Sequence, residues 1–205
     1  MKTKKYPKYT IILRGYSFEQ SHAILEAMSG LENNFAFEIT MNTQHAVEDI
    51  TKLSSEFGDK ITIGAGTVLT FKDEINAIDA GAKFILSACA FNKHMIEYAK
   101  RKKVITVPGV LTPNEIFKML NYGADIIKVF PASTVGPKYF RAIQAPLGKI
   151  PLMAVGGISK DNVHDFFENG AQFAGIGSSA FRKEDVFKQD VNKLHKALID
   201  LVKKA

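Results

Sequence analysis

The stretch IIKVFPAS, residues 126–133, decides how the rest of the sequence is interpreted. The apolar residues on either side of Lys128 are typical of a buried strand, and no acidic residue stands near it in this stretch. Burying an ammonium group costs several kcal/mol unless the group is paired with a counter-charge or loses its proton. A strand that keeps this lysine therefore indicates either a partner for the charge or a chemical use for the amine.

Seven further apolar runs alternate with amphipathic stretches along the chain. Such alternation predicts a parallel sheet covered by helices, and eight strands are the number that closes a (β/α)₈ barrel. We therefore predict an α/β fold, a TIM barrel formed as one domain by residues 1–205, with a doubly wound open sheet as the alternative. The eight runs are residues 10–14, 35–40, 61–66, 83–87, 104–109, 125–130, 151–157 and 173–178.

The charge composition limits the kinds of partner that we expect for the chain. Lysine and arginine number 27 against 21 aspartate and glutamate, which gives a net charge of +6, but the basic residues are spread over many segments. We therefore expect a surface that attracts small anions, with no nucleic-acid partner and no membrane partner.

No apolar stretch approaches the ~18 residues of a membrane helix, and the basic start does not resemble a signal peptide. The single cysteine, Cys89, fits a cytoplasmic protein, and the histidines lack metal-ligand spacing.

Polar residues and glycines follow most of the apolar runs. The side chains at the carboxyl ends of the strands of such a barrel meet at one mouth, where chemistry takes place. Eight runs that carry the same kind of residue to one mouth are hard to obtain by chance. The residues are Arg14, Glu38, Thr40, Gly66, Thr67, Ser87, Pro108, Gly109, Lys128, Gly156, Gly157, Gly177 and Ser178.

In the predicted strands 125–130 and 35–40, side chains alternate between the two faces of the sheet. This alternation places Lys128 and Glu38 on faces that can both line the barrel interior. One interpretation is a buried ion pair that fixes the strand register. The other is a nucleophilic lysine whose pKa is lowered by its apolar surroundings, with a nearby carboxylate for acid–base catalysis.

Two glycine-containing turns favour the functional interpretation over a purely structural ion pair. The segments AVGGIS (154–159) and GIGSS (175–179) each stand between a predicted strand and a predicted helix, the first helix beginning near Ser159. Backbone N–H groups in such turns bind phosphate, although tight turning alone would also explain the glycines. Arg14 could hold a second anionic group such as a carboxylate, or form a surface ion pair.

These segments together resemble one enzyme family over essentially the whole chain. The sequence is similar to the 2-keto-3-deoxy-6-phosphogluconate / 2-keto-4-hydroxyglutarate aldolases, which are class I enzymes, and within them to the 2-keto-3-deoxy-6-phosphogalactonate branch. The matching segments are ILRG (12–15), FEIT (37–40), IGAGTVL (63–69), PGVLTPNE (108–115), IKVFPAS (127–133), GGIS (156–159) and GIGS (175–178).

The resemblance implies a role for each candidate residue and a reaction. Lys128 would form a Schiff base with a phosphorylated 2-keto acid, and Glu38 would be the general acid–base in its cleavage to pyruvate and glyceraldehyde 3-phosphate. It also implies activity on 2-keto-4-hydroxyglutarate, no metal or other cofactor, and a homotrimer. The implied binding residues are Arg14, Thr67 and Phe130 for the keto acid and its carboxylate, and Gly156, Gly157 and Ser178 for the phosphate.

Three positions depart from the common family pattern. Asn42 stands where many members have arginine, so carboxylate binding would depend more heavily on Arg14. Ala88 replaces a proline, which alters the wall of the pocket there. Val155 replaces a threonine and is the predicted specificity residue, because a threonine could hydrogen-bond one orientation of the C4 hydroxyl. Valine at this position predicts that the galactonate epimer is accepted at least as well as the gluconate epimer.

Two other functions would fit the same fold. A phosphate-binding isomerase or epimerase would use Lys128 as an electrostatic residue, and a sugar-phosphate sensor would have no catalytic use for it. The Lys128–Glu38 pair argues against the sensor, because a protein that only binds has no need of a buried amine. Covalent trapping of pyruvate would separate the aldolase from both.

Overall fold

The predicted apolar runs form a ring of parallel strands surrounded by helices. The structure, a computed structural model, describes residues 6–203. The strands are β1 (Tyr9–Leu13), β2 (Phe35–Thr40), β3 (Thr62–Gly66), β4 (Phe84–Leu86), β5 (Ile105–Val107), β6 (Gly109–Val110), β7 (Ile127–Val129), β8 (Leu152–Val155) and β9 (Phe173–Ile176). The helices are α1 (Phe18–Glu26), α2 (Ala46–Phe57), α3 (Phe71–Asp79), α4 (Lys93–Arg101), α5 (Pro113–Tyr122), α6 (Ala132–Val135), α7 (Pro137–Leu147), α8 (Val163–Glu168), α9 (Lys183–Phe187) and α10 (Val191–Lys203).

The fifth predicted run closes the ring. It is divided at Pro108 into β5, which pairs with β4, and β6, which pairs with β7, so one stretch of chain joins the two ends of the strand order. Proline has no N–H to donate to a ladder, which explains a break at this position. The nine strands are therefore eight barrel strands with one interrupted. The (β/α)₈ prediction is confirmed and the open-sheet alternative is wrong.

Alternation along each strand divides the apolar residues into two layers. One layer lies between the strands and the helices and includes Ile127 and Val129. The other fills the barrel interior and includes Ile126, Ala36 and Met153. Because Lys128 alternates with Ile127 and Val129, it belongs to the interior face, as the period of two predicts.

The floor of the barrel is closed by an aromatic cluster. Tyr6 stacks edge-on against Phe84 and Phe173, with ring centroids 5.3 and 5.6 Å apart. Its hydroxyl lies 2.9 Å from the Thr10 hydroxyl. These contacts fill the amino-terminal end of the interior, opposite the carboxyl ends of the strands.

Local signals predicted some helix boundaries and missed others. Helix α5 begins with a capping box at Thr112 and ends at Gly123 in a left-handed conformation, as these residue types favour. The helix expected near Ser159 instead begins at Val163, so the glycine turn after β8 is longer than predicted. Among residues 6–203, no helix is long and apolar enough to span a membrane.

Candidate active site

A cavity of about 490 Å³ opens at the carboxyl ends of the strands. It brings together every predicted site residue except Thr67, which does not line it. Ala88 also contributes to its wall. The predicted residues around it are Arg14, Glu38, Lys128, Phe130, Val155, Gly156, Gly157 and Ser178.

Lys128 is buried at the inner end of this cavity. It is the central residue of β7 and only 5% of it is exposed. Burial lowers its pKa to about 8, against an opposing effect of the Glu38 charge, and the nearby Arg14 charge lowers the pKa further. At pH 7 roughly a tenth of the molecules then carry the neutral amine, the form that attacks carbonyl groups. The Nζ atom lies 4.7 Å from the centre of the Phe130 ring, within the range of a cation–π contact.

Glu38 is buried in the same cavity, on β2, which lies across the barrel from β7. Only 1% of the residue is exposed, and its Oε2 has no hydrogen-bond partner in the protein. Burial raises its pKa to about 7, although the charges of Lys128 and Arg14 oppose the rise. A carboxyl group that lines a cavity, has an unpartnered oxygen and titrates near neutral pH is suited to accept and return a proton.

Lys128 and Glu38 do not form a direct ion pair. Among residues 6–203, no salt bridge with a nitrogen–oxygen distance of 4.0 Å or less includes Lys128 or Glu38. The two groups nevertheless influence each other's charge. A register-fixing salt bridge requires contact, so this geometry favours the catalytic interpretation of the pair.

Gly66 makes room for the Glu38 carboxyl group. A Cβ atom built on Gly66 would lie 1.5 Å from Glu38 Oε1 and 2.3 Å from its Cδ. Any larger residue at the end of β3 would have to push the carboxyl group aside. This is a feature that the sequence suggested only as part of a motif.

A Gly66→Ala variant is therefore expected to fold but to lose roughly 10²-fold or more in turnover, because the carboxyl group moves from its working position. The measurement is steady-state kinetics of the variant and of the same change in a Glu38→Gln background. In the double variant Gly66→Ala should cost little, since the carboxylate is already absent. An equal loss in both backgrounds would mean general damage and contradict this role of Gly66.

Arg14 is held by a neutral partner at the cavity rim. Its Nη1 donates a hydrogen bond of 3.1 Å to Asn42 Oδ1. The adjacent Gly15 N–H donates to Thr43 Oγ1 at 3.0 Å, so two bonds tie the loops after β1 and β2 together. Within residues 6–203 no carboxylate forms a salt bridge with Arg14, which argues against the alternative of a surface ion pair. The asparagine noted as a departure orients Arg14 and leaves its charge available to an anion.

Thr67 follows β3 in a left-handed conformation, with φ of 54°. This region is an outlier for a β-branched residue and implies local backbone strain. Thr67 is half-buried and lies outside the cavity wall. The structure therefore places it at the expected end of the barrel but not among the residues that line the cavity with Arg14.

The turn after β8 requires its two glycines. Gly156 and Gly157 have φ of 96° and 72°, which favour glycine. A Cβ atom on Gly157 would approach the Ser133 Cβ to 2.6 Å. The Ser133 N–H also donates to the Gly156 carbonyl at 3.0 Å. The turn therefore packs closely against the chain that follows Lys128.

Two further side chains fix this turn and were missed by sequence reasoning. Asn162 donates from Nδ2 to the Gly157 carbonyl at 2.8 Å and accepts from the Ser159 N–H at 2.9 Å. Ser179, after β9, donates to the Ile158 carbonyl at 2.7 Å. An asparagine just before a helix is a signal that could have predicted the first contact. Together they connect the turns after β8 and β9, and backbone N–H groups in turns of this kind can bind an anion.

The chemistry that this arrangement supports is attack on a carbonyl compound with anionic groups. A lysine that readily loses its proton, a carboxyl group that titrates near neutrality, an unpaired arginine and two rigid turns share one cavity. In residues 6–203, no cluster of three or more His, Cys, Asp or Glu side chains has the arrangement of a metal site.

Known proteins resemble the chain in sequence and in fold. The model of the family "Aldolase: KDPG and KHG aldolase" matches residues 14–197. A Rhizobium meliloti (strain 1021) protein named probable 2-dehydro-3-deoxy-6-phosphogalactonate aldolase is 35% identical over 173 residues, 83% of this chain and 80% of the relative. The 2-dehydro-3-deoxy-6-phosphogalactonate aldolase of Escherichia coli (strain K12) is 32% identical over 83% of each chain. A solved structure named native KDPGal has a TM-score of 0.85 and 28% identity, covering 99% of this chain and 100% of its own.

Proposed function

The chain belongs to the KDPG and KHG aldolase family, a family of carbon–carbon lyases, and from that premise we propose that Lys128 forms its Schiff base and Glu38 is its acid–base group. The observation that carries the proposal is the pair itself. Both groups are buried in one cavity, neither is neutralised by a salt bridge, and burial moves their pKa values towards each other. Borohydride trapping with pyruvate, described at the end of the Discussion, tests it.

The proposed reaction uses these residues in sequence. The neutral Lys128 amine attacks C2 of a 2-keto acid; a proton taken up from the protonated Glu38 or from water lets the C2 oxygen leave as water, and the resulting iminium ion withdraws electrons from the C3–C4 bond. Glu38, directly or through a water molecule, takes the proton of the C4 hydroxyl as that bond breaks and the aldehyde departs. The electron pair remains on C3 as an enamine. Protonation at C3 and addition of water then release pyruvate and restore the amine.

We propose that the substrate is 2-keto-3-deoxy-6-phosphogluconate, its galactonate epimer or both, and that the aldehyde product is glyceraldehyde 3-phosphate. The unpaired Arg14 supports a carboxylate site, and the rigid turns that carry Gly157 and Ser178 support a phosphate site. Phe130 would cover one face of the imine. Thr67 keeps a proposed role beside the carboxylate, and 2-keto-4-hydroxyglutarate is a proposed second substrate.

Val155 is the proposed determinant of the C4 epimer. It is almost fully buried in the cavity wall at the end of β8 and offers no hydrogen-bonding group to the C4 hydroxyl. We expect the galactonate epimer to be used at least as well as the gluconate epimer, and Val155→Thr to move the preference towards gluconate by about tenfold, the effect of about one hydrogen bond. The measurement is kcat/KM on both purified epimers for both proteins.

Two results would contradict this role of Val155. One is a wild-type protein that prefers the gluconate epimer by roughly tenfold or more, given that one hydrogen bond is worth about that factor. The other is a Val155→Thr variant whose preference does not move.

The remaining parts of the proposal concern cofactors, assembly and location. The iminium ion supplies the electron withdrawal that a metal ion would otherwise provide, so we propose catalysis without a metal or other cofactor. A homotrimer is proposed from the family resemblance, and the exposed apolar side chains of Leu69 and Phe117 are candidates for burial in its interfaces. One domain is proposed to carry the whole activity, in the cytoplasm, where the single unpaired Cys89 would stay reduced.

A further inference from the structure

Tyr16 differs from the other tyrosines that are removed from water. Burial raises the pKa of Tyr6, Tyr9, Tyr16 and Tyr139. The hydroxyl groups of Tyr6, Tyr9 and Tyr139 each hydrogen-bond to a protein oxygen. Within residues 6–203 the Tyr16 hydroxyl has no protein hydrogen-bond partner, although its surroundings partly exclude water. Because Tyr16 is only half-buried, its hydroxyl is left open to water or to a ligand that enters the cavity.

Tyr16 faces the catalytic cavity. It lies in the loop between β1 and α1, its ring packs against the layer between strands and helices, and it lines the same cavity as Lys128 and Ser178. The proposed mechanism gives this residue no role. Its hydroxyl is therefore a hydrogen-bond donor on a cavity-lining residue that the reaction chemistry leaves unused.

Strand register places the Tyr16 loop beside the proposed phosphate turn. Strand β1 pairs in parallel with β9, and Ile11 stands opposite Ile176. Continuing this register by two residues brings Leu13 level with Ser178. Tyr16 follows three residues later, in the loop after β1, which this register places next to the turn after β9. The neighbouring Arg14 is instead hydrogen-bonded to Asn42 in the loop after β2.

The loop is fixed on both sides of Tyr16. Before it, the Gly15 N–H is bonded to Thr43, and after it Ser17 forms a capping box with Gln20 at the start of α1. A side chain between two such anchors is held in place before a ligand arrives, which reduces the entropy lost on binding.

We propose that the Tyr16 hydroxyl donates a hydrogen bond to the phosphate group of the bound substrate, and that Tyr16 thereby selects phosphorylated over unphosphorylated 2-keto acids. Phosphate oxygens are strong acceptors, and a phenol donates to them without the desolvation that a further cation would need. This inference rests on the proposed function, because it assigns a residue to the phosphate end of that substrate.

The test is Tyr16→Phe, which removes one oxygen and keeps the ring. The KM for the phosphorylated substrate should rise roughly tenfold to a hundredfold, the range for a hydrogen bond to a charged group, with kcat little changed. The inhibition constant of inorganic phosphate should rise in parallel. Cleavage of 2-keto-4-hydroxyglutarate, which has no phosphate, and borohydride trapping of pyruvate should not change.

Two reference variants make the result decisive. Tyr122→Phe removes a phenol on α5 that does not line the cavity, and it should change none of these values. Ser178→Asp places a negative charge in the proposed phosphate site, and it should raise KM strongly for the phosphorylated substrate alone.

The outcomes separate this inference from the proposed function. If Ser178→Asp is selective for the phosphorylated substrate but Tyr16→Phe has no effect, or an equal effect on both substrates, the role of Tyr16 is overturned and the phosphate site stands. If neither variant is selective, the phosphate site itself is wrong and the role of Tyr16 falls with it. If wild-type protein is not trapped by pyruvate and borohydride, the aldolase mechanism fails whatever Tyr16→Phe does.

Discussion

A Lys128→Met variant should lose aldol cleavage by at least roughly 10³-fold and yet unfold less readily than the wild type. The loss of activity follows from removing the only proposed nucleophile. The gain in stability follows from removing a buried ammonium group. The pKa of Lys128 falls from 10.5 to about 8 in the folded protein, which corresponds to a cost of up to about 3 kcal/mol in the free energy of unfolding. Methionine has a similar length and no charge to desolvate.

The pH dependence of this gain has a definite sign. A lysine with a lowered folded pKa destabilises the fold fully below about pH 8, and the cost disappears as the pH rises towards 10.5, where the amine is neutral in both states. The extra stability of Lys128→Met relative to the wild type should therefore be large at pH 7 and small at pH 10.5. In Lys128→Met the Glu38 carboxylate loses its neighbouring positive charge, which costs some stability. The net gain in the free energy of unfolding at pH 7 should therefore be smaller than the full cost of burying the ammonium group.

Denaturant unfolding of both proteins at equal concentration, at the two pH values, measures the effect. Lys138→Met, a change at an exposed lysine on α7, is the matched control and should alter neither stability nor activity. A Lys128→Met variant that still cleaves substrate contradicts the nucleophile assignment. One that is less stable than the wild type would mean that Lys128 contributes to the fold as an ion-pair partner.

Glu38→Gln should slow cleavage by roughly 10²–10⁴-fold, the usual effect of losing an acid–base group, while imine formation with pyruvate is partly retained. Glutamine has nearly the same shape, and the carboxyl oxygen Oε2 has no protein bond to lose. The variant therefore tests the proton transfer rather than the packing.

The pH profile gives a second measure of Glu38. In the wild type both the carboxylate and the neutral amine form as the pH rises, so kcat/KM should increase through the region of pH 7 to 8 and then level off. The two groups interact, so the steps belong to the pair. In Glu38→Gln the increase should become shallower, because only the amine still titrates. Unchanged cleavage kinetics and an unchanged profile would show that Glu38 has no role in proton transfer.

Features that depend on periodicity were predictable from the sequence. Alternation within β2 and β7 was enough to place Glu38 and Lys128 on the interior face, because the pleat of a strand fixes the direction of each side chain. The number of strands followed from counting apolar runs. The convergence of their ends followed from parallel pairing, which carries all carboxyl ends to one side.

Features that depend on distances between loops were not predictable. The Arg14–Asn42 bond joins residues 28 positions apart and depends on how two loops meet. The clash that Gly66 avoids depends on the rotamer of Glu38, which no local pattern determines. Ser159 was expected to begin a helix because its residue type is a common cap, but here its backbone N–H bonds Asn162 and the helix starts later.

The most direct test of the central claim is to incubate the purified protein with pyruvate and sodium borohydride and then to determine the intact mass and map the peptides. We predict one reduced pyruvyl adduct per chain, located on Lys128, which disappears when either reagent is left out and in Lys128→Met. The absence of an adduct, or an adduct on a different lysine, would contradict the account.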